Sequence, residues 1–310
     1  MANAYTNYNQ TVFINGTKLR GVRDFSANYN IRTKPINVVG QGVVNQVTAD
    51  IPEASVSITR DISFVDYFQA YTGLNIPING SIHYNDKILG FQEGHLTSYS
   101  YSVEYGQTPV SNIGITVFGD MGSGDANSSI NDYGSLNASG QAVEGVIQKI
   151  TRPSDISVSC FGSTTNRVKS FSFDVAVPKL TAYALNHKYP VQVSMGNPIV
   201  VNSSFVMEVD DYESRRISDY LTLTNFDSFS INVKGIIYGA NILTEVDGTE
   251  LTMPDGTFLT LLSDDTYQVS QLWNFNSSNT RLISQDFSSS ADDVSQVSLT
   301  YQTFLNRQPL

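Results

Sequence analysis

Cysteine is all but absent: Cys160 is the only one in 310 residues. No intramolecular disulfide can form, and no cluster of thiolates can hold a metal. Histidine is limited to His83, His95 and His187. None stands in a His-Glu-x-x-His pattern or beside the cysteine at metal-ligand spacing. His83 and His95 lie near strand-like Tyr84 and Leu96, where surface or turn positions account for them. Charged residues make up only 15% of the chain, against a usual share of about a quarter. Ser, Thr, Asn and Gln supply the polarity instead, a balance that suits sheets more than Glu- and Lys-rich helices. Basic charge is the scarcer sign, with 18 Lys and Arg against 29 Asp and Glu and a net charge of −11. Such a chain has no overall basic footprint for gripping DNA or RNA. Solubility is the ordinary reading of the acidity, and a surface that repels phosphate is the alternative. No apolar stretch approaches the ~20 residues that span a bilayer. Met1 to Tyr8 has neither the basic start nor the apolar run of a secretory signal. The expectation is a soluble protein made in the cytoplasm, with no membrane insertion.

Catalytic signatures are missing as well. There is no Gly-x-Ser-x-Gly elbow and no Gly-x-x-x-x-Gly-Lys phosphate loop. Gly40-Gln41-Gly42 lacks the third glycine and the helix that a dinucleotide requires. The acidic pairs Asp210-Asp211, Asp264-Asp265 and Asp292-Asp293 are sequence neighbours, whereas glycosidic cleavage needs carboxylates ~5–9 Å apart across a cleft. Solvated turns explain them. The expectation is a non-enzymatic protein with no cofactor and no metal.

What the chain does contain is an internal repeat, the feature to seek early because missing it misreads the fold. Val22-Arg23-Asp24-Phe25-Ser26 matches Val168-Lys169-Ser170-Phe171-Ser172 at an offset of 146. Gln46-Val47-Thr48, Pro52 and Ser57 match Gln192-Val193-Ser194, Pro198 and Ser203 at the same offset. Later blocks match with slippage. Asp66-Tyr67 pairs with Asp219-Tyr220, Leu96-Thr97-Ser98 with Leu282-Ile283-Ser284, and Tyr101-Ser102 with Phe287-Ser288. Val110 to Val117 mirrors Val294 to Tyr301. The repeat cores run over 12–122 and 156–305. The domains are drawn as 1–122 and 156–310, with a linker at 123–155 and an insertion in the second domain around 240–278. The linker opens with the Gly- and Ser-rich run 122–129, and Leu136 to Ile150 predicts a short connecting helix. In the insertion, Asp247-Gly248 and Asp255-Gly256 predict tight hairpin turns. The full ligand spacing of a calcium loop is missing there.

Within each unit the hydrophobic period is two. Phe171, Phe173, Val175 and Val177 alternate with Ser172, Asp174 and Ala176, and Phe229, Ile231 and Val233 repeat the pattern. Such runs mark antiparallel strands with one buried face. Phe64 to Tyr71, with Ser63 as cap and Gly73 as stop, predicts a helix, and Glu213 to Leu221 predicts its counterpart. The fold class is mainly β: two tandem β-sandwich or open-barrel units, each with one short helix.

The order of these blocks carries a resemblance. Each unit begins with a Val-Arg/Lys-x-Phe-Ser strand. A long Pro- and Gly-bearing arm follows, Arg32 to Gly40 in the first unit and Pro178 to Pro190 in the second. A strand containing Pro52 or Pro198, a short helix and a Ser-rich hairpin complete the unit. This order resembles the tail-tube and related tail proteins of double-stranded DNA bacteriophages. The resemblance implies sheets that close into a barrel with those of neighbouring subunits, and rings that stack through the arms. It further implies a lumen that conducts DNA without specific binding, other tail proteins as partners, and a place in the virion tail. Two units per chain depart from the usual one, so three chains suffice for a pseudo-sixfold ring. The acidic balance predicts a lumen that is neutral or acidic.

The arms are the candidate subunit contacts, through Lys34, Pro35, Ile36, Val38, Val39, Val43 and Val44 in the first and Lys179, Leu180, His187 and Lys188 in the second. They are too long for tight turns, and the first is too apolar for an ordinary solvent loop. Two wide hairpins folded back on their own domain are the competing reading. A baseplate or host-binding component of adhesin type is the alternative function for the same β-rich units.

Overall fold

The two-residue alternation becomes strand wherever one side of the chain can be covered. In Val168–Ala176, Phe171, Phe173 and Val175 are buried while Asp174 and Ala176 are exposed. The computed structural model describes residues 10–19, 21–31, 33–36, 46–49, 53–62, 66, 68–84, 87–125, 156–160, 163–165, 167–208, 227–242, 260–290 and 293–305. Within them the protein is mainly β, and its paired strands are antiparallel.

The first run of elements is β1 (Gln10–Ile14), β2 (Thr17–Leu19), β3 (Val22–Asn30), β4 (Thr33–Ile36), β5 (Gln46–Ala49), β6 (Glu53–Asp61), α1 (Phe68–Tyr71), β7 (Ile78–Tyr84), β8 (Lys87–Glu104), β9 (Val110–Val117) and β10 (Met121–Asp125). Its sheet pairs in the order β2-β1-β7-β8-β9-β6-β3, with β10 also on β8. The second run is β11 (Ile156–Cys160), β12 (Ser163–Thr165), β13 (Val168–Ala176), β14 (Lys179–Ala182), β15 (Gln192–Met195), β16 (Ile199–Glu208), β17 (Asp227–Ile242), β18 (Thr260–Ser290) and β19 (Asp293–Leu305). It pairs in the order β12-β11-β17-β18-β19-β16-β13. The two orders are the same. One further pairing, β13 on β8, joins the runs into a single 15-stranded sheet.

The registers agree as well as the order. Leu96 faces Ile115 and Leu282 faces Tyr301, and each pairing then bulges, before Ser98 in one case and before Ser284 in the other. Val22 to Asp24 and Val168 to Ser170 carry matching irregularities. Pairing also corrects the sequence alignment. Ser26 faces Ser57 and Ser172 faces Ser204, so the counterpart of Ser57 is Ser204 rather than Ser203. Ser102 faces Val110 and Ser288 faces Gln296, which moves the counterpart of Val110 from Val294 to Gln296. Both displaced matches survive as sequence similarities because serines and valines recur throughout these strands. The extra material in the second run spans 234–272, where the first run has only Asn85-Asp86 between Tyr84 and Lys87. It lengthens the β17–β18 hairpin.

Other expectations change on inspection. Gly122 to Asp125, expected in the linker, belong to β10 and pair with Ile88 to Gly90 and Lys87 of β8. Glycine weakens a strand interior, so this run is strand because the β8 edge supplies its hydrogen bonds. Helix α1 is described only from Phe68, and its cap is Asp66, whose Oδ1 accepts from the Phe68 amide at 3.1 Å. Ser63, the expected cap, the helices expected at 136–150 and 213–221, and both Asp-Gly turns lie outside the described residues. The described sheet is open, with no pairing that closes it into a barrel.

Strand β8 connects the layers. One of its edges is taken by β7 over Lys87 to Gly94 and then by β13 over Ser98 to Glu104. The middle of β18 seats Trp273 on this handover. The indole stacks on Tyr101 at 4.9 Å and meets Phe173 at 4.8 Å and Phe171 at 5.3 Å. Its Nε1–H donates to the Tyr99 hydroxyl at 3.1 Å, and that hydroxyl donates to Asp66 at 2.9 Å. One buried chain of hydrogen bonds thus ties both runs and the α1 cap together. Trp273→Ala removes the stack and leaves Tyr99 short of a donor. We expect a loss of about 3–5 kcal/mol, read from chemical unfolding by intrinsic tyrosine fluorescence.

Candidate assembly surfaces

Three surfaces follow from this topology: two sheet edges, one broad polar face and a pair of ribbons.

The edges come first. Strand β13 has β16 on one side and β8 on the other, and its apolar residues are buried there. Strand β3 holds the same place in the first run, but among the described strands only β6 pairs with it. Phe173 is 2% exposed, whereas Tyr29 on β3 is 61% exposed, and the next apolar residue, Ile31, is 51% exposed. The partner edge behaves alike. Over 284–290, β18 pairs with β19, and no described strand pairs with its other side. Phe287 there is 55% exposed, while Tyr101, its counterpart on β8, is fully buried. Open edges bearing apolar side chains invite strand addition.

The second surface is the outward face of the β3-β6-β9-β8-β13-β16-β19-β18 sheet. Its alternation is of the expected kind: Ser26, Asn28, Ser55, Ser57, Ser98, Ser100, Ser102, Ser172, Asn202, Ser204, Thr300, Gln302, Ser284 and Ser288 point away from the core. Carboxylates on this face are Asp24, Asp61, Glu104, Asp174, Glu208 and Asp286. Partial burial raises the pKa of Asp174. Arg281 stands opposite Gln302 on the same face, and Arg23 and Arg167 reach it in ion pairs, with Asp61 at 2.7 Å and Glu208 at 3.7 Å. Cross-strand contacts such as Gln302 to Asn202 at 3.2 Å knit the amides and hydroxyls into a continuous polar layer.

The ribbons are β4–β5 and β14–β15, each a separate two-stranded sheet, and their registers match. These are the segments that the sequence marks as contacts. Lys34, Pro35 and Ile36 lie in β4, while Val38, Val39, Val43 and Val44 lie outside the described residues. In the second ribbon Leu180, His187 and Lys188 are exposed, and Lys188 sits over the Tyr189 ring at 5.0 Å. Leu185 near the tip is 97% exposed, a residue the sequence reading missed although its apolar character was the signal. Lys179 differs from the others. Its ammonium donates to Asn75 Oδ1 at 3.2 Å, and the Asn75 amide donates to the Val193 carbonyl at 2.7 Å. The base of this ribbon is therefore clamped to the loop that follows α1.

Comparison with known proteins adds little. No protein-family model matches the chain, and no curated protein matches it. Among solved structures, a chain from the virion of a native gene transfer agent particle is similar at a TM-score of 0.32 and 11% identity, over 39% of this chain and 99% of that one. So slight a likeness carries no argument about function.

Near the clamped ribbon, His95 of β8 overturns the surface reading of its sequence position. It is 3% exposed and lies against Phe118, with ring centroids 5.7 Å apart. Burial, and secondarily the Lys179 charge, lowers its pKa from 6.5 to about 4. The folded state therefore prefers neutral imidazole, and the unfolded chain takes up the proton first as pH falls. Stability should decline between pH 6.5 and about 4. His95→Gln should flatten that segment of a melting-temperature profile; an unchanged slope would assign the acid sensitivity elsewhere.

Proposed function

We propose that this protein is a structural subunit of a bacteriophage tail, assembling into stacked rings whose lumen conducts DNA. The observation that carries the reading is the pair of strand edges, β3 and the end of β18, that no further described strand pairs with and that both expose apolar side chains. A chain that ends its sheet in two such edges is suited to polymerise through them. The identity of strand order, register and bulges in the two runs supports reading 1–122 and 156–310 as copies of one unit joined by a linker. Each chain then supplies two positions of a ring, and three chains supply six. The resemblance of the sequence blocks to tail-tube proteins connects this architecture to the phage tail.

The polar face supports the lumen. The buried side of the sheet packs on residues of β1, β2, β7, β11 and β17 and on Trp273, so a sheet curled around an axis presents its outer layer of hydroxyls, amides and carboxylates to the interior. Lysine and arginine in such a lining would bind phosphate through counterion release. A layer rich in serine and asparagine, in which carboxylates outnumber the arginines, lets a polyanion pass. The role is structural rather than catalytic, and the exposed apolar residues of the ribbons serve contacts between rings.

Electron microscopy of the purified protein, with native mass measurement of isolated rings, tests the proposal. Rings or tubes with three chains per ring are expected. Isolated particles that bind host cell surfaces would favour the adhesin alternative, and six chains per ring would remove the two-position reading. The ribbons have their own test. Replacing residues 34–44 by a short Gly-Ser turn should leave a folded protein whose rings no longer stack, and normal tubes from that variant would refute their role.

A further inference from the structure

The two open edges are related by more than exposure, because their counterparts already pair inside the chain. In the internal junction Ser172 of β13 faces Ser102 of β8, Phe173 faces Tyr101, Asp174 faces Ser100 and Val175 faces Tyr99. The ladder continues beyond the strands, since the Val177 amide donates to the Thr97 carbonyl at 2.8 Å. The registers assign each of these residues a counterpart at an open edge. For β13 they are Ser26, Ala27, Asn28, Tyr29 and, one step on, Ile31. For β8 they are Ser288, Phe287, Asp286, Gln285 and Ile283.

We infer that β3 of one copy pairs antiparallel with β18 of a second copy in the register of the internal junction. Ser26 then faces Ser288, Ala27 faces Phe287, Asn28 faces Asp286, and the Ile31 amide meets the Ile283 carbonyl. The inference deepens the assembly reading by naming the surfaces, the partner and the register. Side-chain exposure fits it independently of the pairing. Tyr29, Ile31 and Phe287 are all about half exposed or more, and this register places the three on one side of the junction. Val175, Val177 and Tyr101, which hold the matching internal places of Tyr29, Ile31 and Phe287, are buried. On the polar side the pairing sets serine against serine and Asn28 against Asp286, so no like charges oppose one another.

The two junctions differ in content. Phe173 is matched by Ala27, Tyr99 by Gln285, and Trp273, which covers the internal junction, by the exposed Lys87. The junction between copies thus encloses less apolar surface than the one within the chain. It should come apart under conditions that leave the chain folded.

Cysteine pairing tests the register. Ser26→Cys and Ser288→Cys are prepared as two separate proteins, mixed, oxidised mildly and digested. Mass spectrometry of the linked peptides distinguishes this pair from links through Cys160. Ser26→Cys mixed with Ser284→Cys is the off-register control, and a Ser172→Cys, Ser102→Cys double variant calibrates the same geometry within one chain. The expected result is a 26–288 link between copies, an internal 172–102 link, and no 26–284 link. Rings or tubes that form without the 26–288 link would overturn this register while leaving the assembly reading intact. A 26–288 link in a protein that forms neither rings nor tubes would support the register and remove the tube. Absence of both would overturn the two together.

Discussion

Everything in this molecule hangs on the pairing of β13 with β8. Without it the described strands fall into two sheets of the same order, each ending in an edge lined with aromatic side chains. With it, Phe171, Phe173, Tyr99 and Tyr101 become one buried cluster, and Trp273 has a surface to cover. The hydrogen bonds from Trp273 through Tyr99 to Asp66 then fix the α1 cap against the same cluster. Burying a hydroxyl and a carboxylate this deeply is tolerable only because each finds a partner. The Tyr99–Asp66 part of the network lies within the first run, and Trp273 extends it across the junction.

Much of the fold can be read from the residues because a half-buried strand must alternate. Phe171-Ser172-Phe173-Asp174-Val175 declares its strand and its inner face, and the early repeat offset of 146 places the ribbons correctly. Alignment by residue likeness fails where the composition is monotonous. Ser57 has two adjacent serines to match, Ser203 and Ser204, and only hydrogen-bond register chooses between them. Gly122 to Asp125 read as a linker because glycine carries no pattern, and the edge that recruits them is distant in sequence. His95 looks ordinary by position, since nothing local reports that Phe118 lies over it.

The candidate assembly surfaces were legible only in part. The ribbons announce themselves through length, proline and apolar content, yet the clamp of Lys179 and Val193 on Asn75 joins residues more than a hundred positions apart. The open edges were hidden for a different reason. Tyr29 and Phe287 sit in ordinary alternating strands, and a strand's sequence does not say whether its second neighbour lies in the same chain. The two pairing maps mark these edges, because among the described strands one map continues where the other stops.

Joining the runs in one polypeptide also alters how an assembly built on such junctions would grow. The β8–β13 contact forms during folding, at an effective concentration set by the tether rather than by the abundance of the protein. A closed ring of six positions then needs three chains to meet instead of six. Loss of translational and rotational freedom is incurred fewer times, and the rate of ring formation depends less steeply on how much protein the cell has made. The number of positions is also forced to be even, because a chain cannot contribute half of itself. Ring size would thus be constrained before any two copies meet.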